Sequence, residues 1–230
     1  MSHALIRPQR SWPRLAVAAS LVTLAVAVTG GTAHAMGVYA GIGLPGLTLG
    51  LAVPATENLT IRADYTSVGN RTATRVESGI TYDASLKAER LGVFADWYPF
   101  GGRFRLTAGA TSNDVNARLA ATGVGKVVTI GSNSYTLQAN DRFDATIGFP
   151  RSTPYLGIGW GHRGGPTGLG FHADIGASIG RATVATAVSG NLSLAPTIAA
   201  DVAAEEAQLR ENVRKIRFIP QISMGVDYRF

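Results

Sequence analysis

The sequence predicts an all-β protein, an antiparallel up-and-down transmembrane β-barrel of about eight strands with one helix in a long loop. Three observations predict it: a leader for export, segments in which apolar and polar residues alternate, and a last strand that ends in an aromatic residue. The chain has 230 residues and no cysteine. An exported protein without cysteine has no disulfides or thiolate metal sites, so a closed hydrogen-bond network or a large core must stabilise it.

The leader has the pattern of a cleaved signal peptide. Positions 1–14 hold three arginines and no acidic residue, an apolar run follows at 15–28, and Ala33-His34-Ala35 provides small residues around a cleavage point. The apolar run is shorter than the roughly 20 residues of a membrane-spanning helix, which argues against an N-terminal anchor. We therefore expect a signal peptide at 1–35 and an outer-membrane barrel at 36–230.

Alternation is clearest in the last segment, where every even position from Phe218 to Phe230 is apolar. A period of two over this length indicates a strand with one apolar and one polar face. In a membrane barrel the apolar face meets lipid and the polar face lines the interior, whereas in the rival fold, a soluble sandwich, it packs on a second sheet. The same pattern recurs at residues 59–65, 104–110, 156–161 and 169–179.

The chain ends in Val226-Asp227-Tyr228-Arg229-Phe230, which resembles the C-terminal assembly signal of outer-membrane barrel proteins. This resemblance implies that the outer-membrane insertion machinery recognises Val226, Tyr228 and Phe230. Over its mature length the chain is similar to the small OmpA-like and OmpW-like barrels of Gram-negative bacteria. The similarity implies a location in the outer membrane, in contact with its lipid, and it leaves the oligomeric state unknown.

The connections between strands are of two lengths. In barrels of this kind, short turns lie on the periplasmic side and long loops lie outside. Trp97 and Trp160 lie beside short turns, where an aromatic girdle is expected. The short connections are residues 54–58, 99–102 and 162–168, and the long ones are residues 68–83, 114–152 and about 180–215.

Two breaks in the alternation affect the strand count. Pro45-Gly46 divides the segment from Val38 to Val53, which is therefore two short strands or one bulged strand. A second slip of the alternation near Glu89-Arg90 suggests a bulge or a change of register.

The long loops contain predicted elements of their own. Strand-forming residues at 127–130 and 135–137 flank a Gly-Ser-Asn turn and predict a hairpin. Residues 197–216 predict a helix with Thr197 as its cap and one apolar stripe. The stripe could plug or cap the barrel, lie on the membrane or meet a partner, and we favour the cap.

Several charged residues fall on the face predicted to line the lumen. We interpret them as a paired polar network that fills a narrow barrel, and the alternative is a selectivity lining for a pore. Glu89, Arg90 and Asp96 belong to the same charged interior. The predicted network consists of Arg62, Asp64, Arg103, Arg105, His172, Asp174 and Asp227.

The best catalytic candidate is His172 with Asp174 on one strand face, which would suit a barrel hydrolase acting on outer-membrane lipid. No serine-histidine motif accompanies it, so we expect no enzyme, no catalytic residue and no cofactor. With His162 and His172 as the only mature histidines, we also expect no transition-metal site. No basic cluster is interleaved with aromatic residues, which excludes nucleic acid as a partner. The function expected is a structural, interaction or small-solute passage role.

Overall fold

Eight strands form a closed antiparallel ring in the computed structural model, which describes residues 36–77 and 80–230. The last strand returns to pair with the first, and residues 104–112 pair with residues 152–160 to close the ring. The predicted up-and-down barrel of eight strands is therefore confirmed. The predicted signal peptide lies outside the described residues and stays a prediction. In ring order the strands are β1 (Gly37–Leu44), β2 (Leu47–Thr56), β3 (Leu59–Glu77), β4 (Ile80–Trp97), β5 (Phe104–Thr122), β9 (Ser152–Trp160), β10 (Gly168–Ile179) and β12 (Phe218–Arg229).

The remaining elements form a second structure in the two long connections, which we call the loop unit. Its strand β8 (Arg142–Gly148) pairs with residues 116–121 of β5, and β11 (Thr183–Ser189) pairs with β8. The sheet therefore branches along one edge of β5, because residues 104–112 on the same edge pair with β9. The loop unit consists of β6 (Val127–Ile130), β7 (Asn133–Thr136), β8 (Arg142–Gly148), β11 (Thr183–Ser189), a short 3-10 helix (Asn191–Leu194) and α1 (Ile198–Val213).

The two ends of the barrel differ. Three short turns, at residues 57–58, 98–103 and 161–167, lie at one end, which we call the turn end. The chain also closes the barrel there, because the Phe230 N–H donates to the Met36 carbonyl over 3.0 Å. The opposite end, the loop end, is continuous with the loop unit.

Apolar side chains cover the outside of the ring. Leu49, Leu169 and Met224 are 66, 76 and 65% exposed, and similar residues recur at alternate positions of the other barrel strands. An apolar surface of this extent marks contact with a membrane rather than with water. Trp97 and Trp160 lie outward at the turn end, where the aromatic girdle was expected. In the described ranges no helix combines the length and apolar character needed to cross a membrane.

The structure resolves the first break in the pattern and corrects a long loop. Pro45-Gly46 is a tight turn between two strands, so residues 38–53 are β1 and β2. The prediction of a loop at 68–83 was wrong, because β3 and β4 continue as a paired hairpin through this segment. At about 3.3 Å per residue, the 19 residues of β3 reach about 60 Å, roughly twice the tilted path across a 25 Å apolar band.

The second break in the alternation, near Glu89 on β4, is caused by an irregularity in the paired strand β3. The register of β3 against β4 shifts between Ser67 and Gly69, which pair with Glu89 and Ala88. The extra residue in β3 is a β-bulge, and the change of face near Glu89 follows from it.

The loop unit has its own small core. Ile130, Leu137, Leu192 and Ile198 are buried together in it. Hairpin β6–β7 and helix α1 form as predicted, although α1 ends at Val213. The apolar stripe of α1 packs on β6 and β11 within the loop unit, and the interpretation of the helix as a barrel cap stays a prediction. Thr197 precedes the helix, but its hydroxyl bonds the Tyr135 hydroxyl instead of capping a helix N–H.

Candidate functional site

Four charged side chains from four strands meet inside the barrel near the turn end. We call Arg62, Asp96, Arg105 and Asp174 the ion cluster. Arg105 donates from Nη1 to Asp96 Oδ1 over 3.1 Å and from Nη2 to Asp174 Oδ1 over 2.8 Å. Arg62 pairs with Asp96 through Nε and Nη2. Arg105 and Asp96 are 0% exposed, and charges so deeply buried persist only when they are paired and hydrogen-bonded.

The ion cluster crosses the lumen. Arg62 belongs to β3 and Asp174 to β10, and three strands separate these two on either side of the ring. Arg62 Nη2 lies 3.4 Å from Asp174 Oδ1, so the contact joins opposite walls of the barrel. Inward charges of both signs therefore fill the interior at this level, as the alternation of each strand allows.

A second group of bonds extends the ion cluster toward the loop end. Arg90 donates to Asp64 Oδ1 over 2.7 Å and to the Thr66 hydroxyl over 2.8 Å. Tyr39 donates to Asp64 Oδ2 over 3.0 Å and receives Arg62 Nη1 at 3.4 Å. These contacts make one polar network from strands on both sides of the barrel.

Two histidines lie on the turn-end side of the ion cluster. His162 follows β9, His172 belongs to β10, and their ring centroids are 4.3 Å apart. Tyr39 packs against both rings, at 4.3 and 5.3 Å. Each histidine is 4% exposed. Asp227 is also buried, and its Oδ2 lies 3.7 Å from Arg229 Nε without forming a hydrogen bond.

Inward glycines make room for the large inward side chains. A Cβ on Gly159 would lie 2.7 Å from the guanidinium carbon of Arg105, and one on Gly225 would lie 2.7 Å from His172 Cε1. Gly176 is similarly close to the Tyr155 ring. Inward glycines therefore lie where large charged or aromatic side chains fill the interior, because a narrow barrel cannot hold two large side chains at one level.

Toward the loop end, the filling becomes neutral. The Thr111 hydroxyl lies 2.8 Å from the Thr153 hydroxyl and 3.1 Å from that of Ser178, to which Gln221 donates over 2.7 Å. Between this hydroxyl layer and the ion cluster lies a cavity of about 20 Å³ beside His172, enough for about one water molecule. At these levels the interior is a packed network rather than a channel.

The structure brings six of the seven predicted network residues into the interior. Arg62, Asp64, Arg105, His172, Asp174 and Asp227 are all buried there. Arg103 was wrongly placed in this set, because β5 begins at Phe104 and leaves Arg103 in an exposed turn.

The three other charged residues that were expected in the interior differ in their positions. Arg90 and Asp96 are interior, whereas Glu89 is half-buried and lies 3.5 Å from Lys87. Sequence reasoning missed Tyr39 and His162 as interior residues. The strand register offers no signal for His162, because Trp160 opposite Ala173 places Gly161 opposite His172, and the positive φ of His162 is what turns its side chain inward.

The hydrolase alternative lacks its nucleophile. In the described part of the chain, neither a serine nor a threonine hydroxyl forms a hydrogen bond with His172. Acyl transfer by a histidine base needs such a hydroxyl within reach. His172 is moreover enclosed within the barrel, away from lipid.

Carboxylates also organise the loop unit. Asp201 on α1 accepts hydrogen bonds from the Tyr135 hydroxyl and from Asn133 Nδ2, and these bonds hold the pKa of Asp201 below its usual range. Asp141 accepts the backbone N–H groups of Gln138 and Leu192 at 2.8 and 2.9 Å, which lower its pKa as well. The two carboxylates thus connect the hairpin, the 3-10 helix and α1.

Glu206 on α1 covers the free edge of the branched sheet. Its Oε2 accepts the Thr186 N–H at 3.3 Å and the Thr186 hydroxyl at 3.1 Å. An unpaired strand edge would otherwise be open to pairing with another chain.

No known family model and no curated protein matches the sequence. Two solved structures resemble the fold. CarO2 of Acinetobacter baumannii matches with a TM-score of 0.55 at 20% identity, over 87% of this chain and 100% of that chain. CarO of the same organism matches with a TM-score of 0.53 at 20% identity, over 84 and 97% of the two chains. At this identity the likeness concerns the fold, an antiparallel β-barrel.

Proposed function

We propose that the protein is an outer-membrane barrel with a closed lumen, which holds the folded loop unit at the cell surface for interaction with a partner. The ion cluster carries this proposal. Two of its contacts join strands that are not neighbours in the ring, and its Arg105 and Asp96 are fully enclosed. A solute on a path through this level would have to separate charges that are paired in a dry interior.

The energy of that separation favours the closed state. A buried charge left without its partner costs about 3–5 kcal/mol, so a form in which these charges are parted and stay buried would be populated at roughly one molecule in 10² to 10⁴. The cavity beside the ion cluster does not provide a path for solutes, because its volume of about 20 Å³ suits a single water molecule.

The outer-membrane location rests on the outside of the barrel and on the loop end. The apolar outer face suits lipid, and likeness to the CarO barrels supports an outer-membrane protein. The loop end then faces outward, because long connections of such barrels lie outside the cell. At this end the loop unit presents a folded surface over its own hydrophobic core, unlike a flexible connecting loop.

Small-solute passage is the second candidate, and the same fold likeness favours it. Conductance across planar bilayers separates the two candidates. We expect the refolded protein to produce no sustained current, and we expect Arg62→Ala, which removes one side of the crossing contact, to produce more current than Arg71→Ala on the exposed outer part of β3. Steady channels from the unaltered protein would overturn the closed lumen and support passage.

A further inference from the structure

The interior holds three metal-ligating side chains close together. His162, His172 and Asp174 each present one ligand atom, and these atoms lie within 4.8 Å of one another. All three residues are buried. Ligand atoms around a tetrahedral zinc ion lie about 3.3 Å apart, so shifts of the ligand atoms by up to about 1.5 Å, through rotation of the imidazole rings, would bring the three atoms to that spacing.

The histidine nitrogens lack partners. Neither His162 Nδ1 nor Nε2 forms a hydrogen bond within the described residues, and the same holds for His172 Nδ1. Buried polar atoms are nearly always paired, because a buried group loses its bonds to water without compensation. Three unpaired nitrogens in two adjoining rings therefore point to a ligand that supplies the missing contacts.

The backbone holds both rings in place. His162 has a φ of 58°, in the left-handed region, which turns its side chain into the barrel directly after β9. His172 lies over Gly41 and Gly225, where any larger residue would collide with it. The two rings therefore face each other across the β9–β10 hairpin, with Tyr39 against both.

Carboxylate oxygens near the two histidines are available to a cation. With Arg229 counted beside Asp227, four arginines and four aspartates balance in the interior, so the metal site rests on its donor atoms and not on an excess of negative charge. In Asp174 both arginine contacts use Oδ1, so Oδ2 is the oxygen left for a metal. Asp227 adds a further buried oxygen without a hydrogen bond.

We propose that His162, His172 and Asp174 bind a transition-metal ion of the zinc class at the turn end of the lumen. Two imidazole nitrogens and one carboxylate oxygen are a donor set typical of Zn²⁺, and Co²⁺ can take its place. The sequence argued against such a site because the mature chain has two histidines and no cysteine. The ion would tie the β9–β10 turn to the barrel wall, and this inference does not depend on whether the lumen conducts.

The test is titration of the folded protein, carrying no histidine tag, with Zn²⁺ and with Co²⁺. We expect one ion per chain and a visible Co²⁺ absorption of four- or five-coordinate form. His162→Asn and His172→Gln should each weaken binding at least about 100-fold, beyond the loss of a residue that merely orients a ligand. Asparagine is chosen at 162 because it tolerates a positive φ.

Asp83→Asn is the control, since it removes an exposed carboxylate near the loop end of β4, outside the histidine site, and should leave the affinity unchanged. A mobility shift on heating checks that each variant has folded, and His162→Asn alone decides the question if His172→Gln does not fold. The proposal fails if neither ion binds saturably, if His162→Asn binds as tightly as the unaltered protein, or if Asp83→Asn abolishes binding.

Discussion

Replacement of Arg105 by methionine tests the energetic role of the ion cluster. Arg105→Met leaves Asp96 with Arg62 as its partner and leaves Asp174 with one contact at 3.4 Å. Removing one partner of a buried pair costs about 3–5 kcal/mol, because a buried charge is left without compensation. With a urea dependence of about 1–3 kcal/mol per molar, the unfolding midpoint should fall by at least about 1 M.

Unfolding in detergent micelles, followed by circular dichroism, measures this change. Arg103→Met is the matched control, since its side chain is exposed in the preceding turn and should change stability by less than about 0.5 kcal/mol. The double variant Arg105→Met, Asp174→Asn should recover part of the loss, because it also removes the stranded charge. Equal midpoints for Arg105→Met and Arg103→Met would refute the reasoning.

Two further predictions concern the loop unit and the C-terminus. Because hydrogen bonds lower the folded-state pKa of Asp201 and Asp141, their stabilisation is complete above about pH 4 and declines as the pH falls through the folded-state pKa values. The protection factors for hydrogen exchange at residues 131–141 should therefore fall between pH 6 and pH 3, although the intrinsic exchange rate slows over that range, and an unchanged protection factor would contradict this. Phe230→Ala should reduce the amount of heat-modifiable barrel in the outer membrane if the outward aromatic end is recognised during insertion, whereas Phe100→Ala, in an exposed turn, should not. Equal yields from the two variants would count against the assembly signal.

The barrel could be predicted from sequence where one face of a strand meets lipid and the other meets the interior. In β12 that difference produces alternation from end to end, and its exposed residues follow the pattern. The outer part of β3 shows no such pattern, because residues 69–77 are all exposed or partly exposed on both faces. Without a buried or lipid-facing side, the sequence there is compatible with a loop, and the hairpin could not be distinguished from one.

The interior residues could be predicted, but their partners could not. Alternation assigns Arg62, Arg105 and Asp174 to the inner face of their strands. Which of them meet depends on ring closure, since Arg62 and Asp174 are 112 residues apart in sequence and belong to opposite walls. Arg103 shows the corresponding limit at strand ends. It lies one residue before β5 begins, and alternation does not assign a face to a residue outside a strand.

The branching of the sheet at β5 gives the loop unit a part in the alignment of the barrel. One edge of this strand pairs with β9 through residues 104–112 and with β8 through residues 116–121. A slip of β5 by a single residue would turn Arg105 from the interior to lipid, and it would also undo the pairing with β8. The loop unit thus helps to fix the register of the strand that carries the most deeply enclosed arginine.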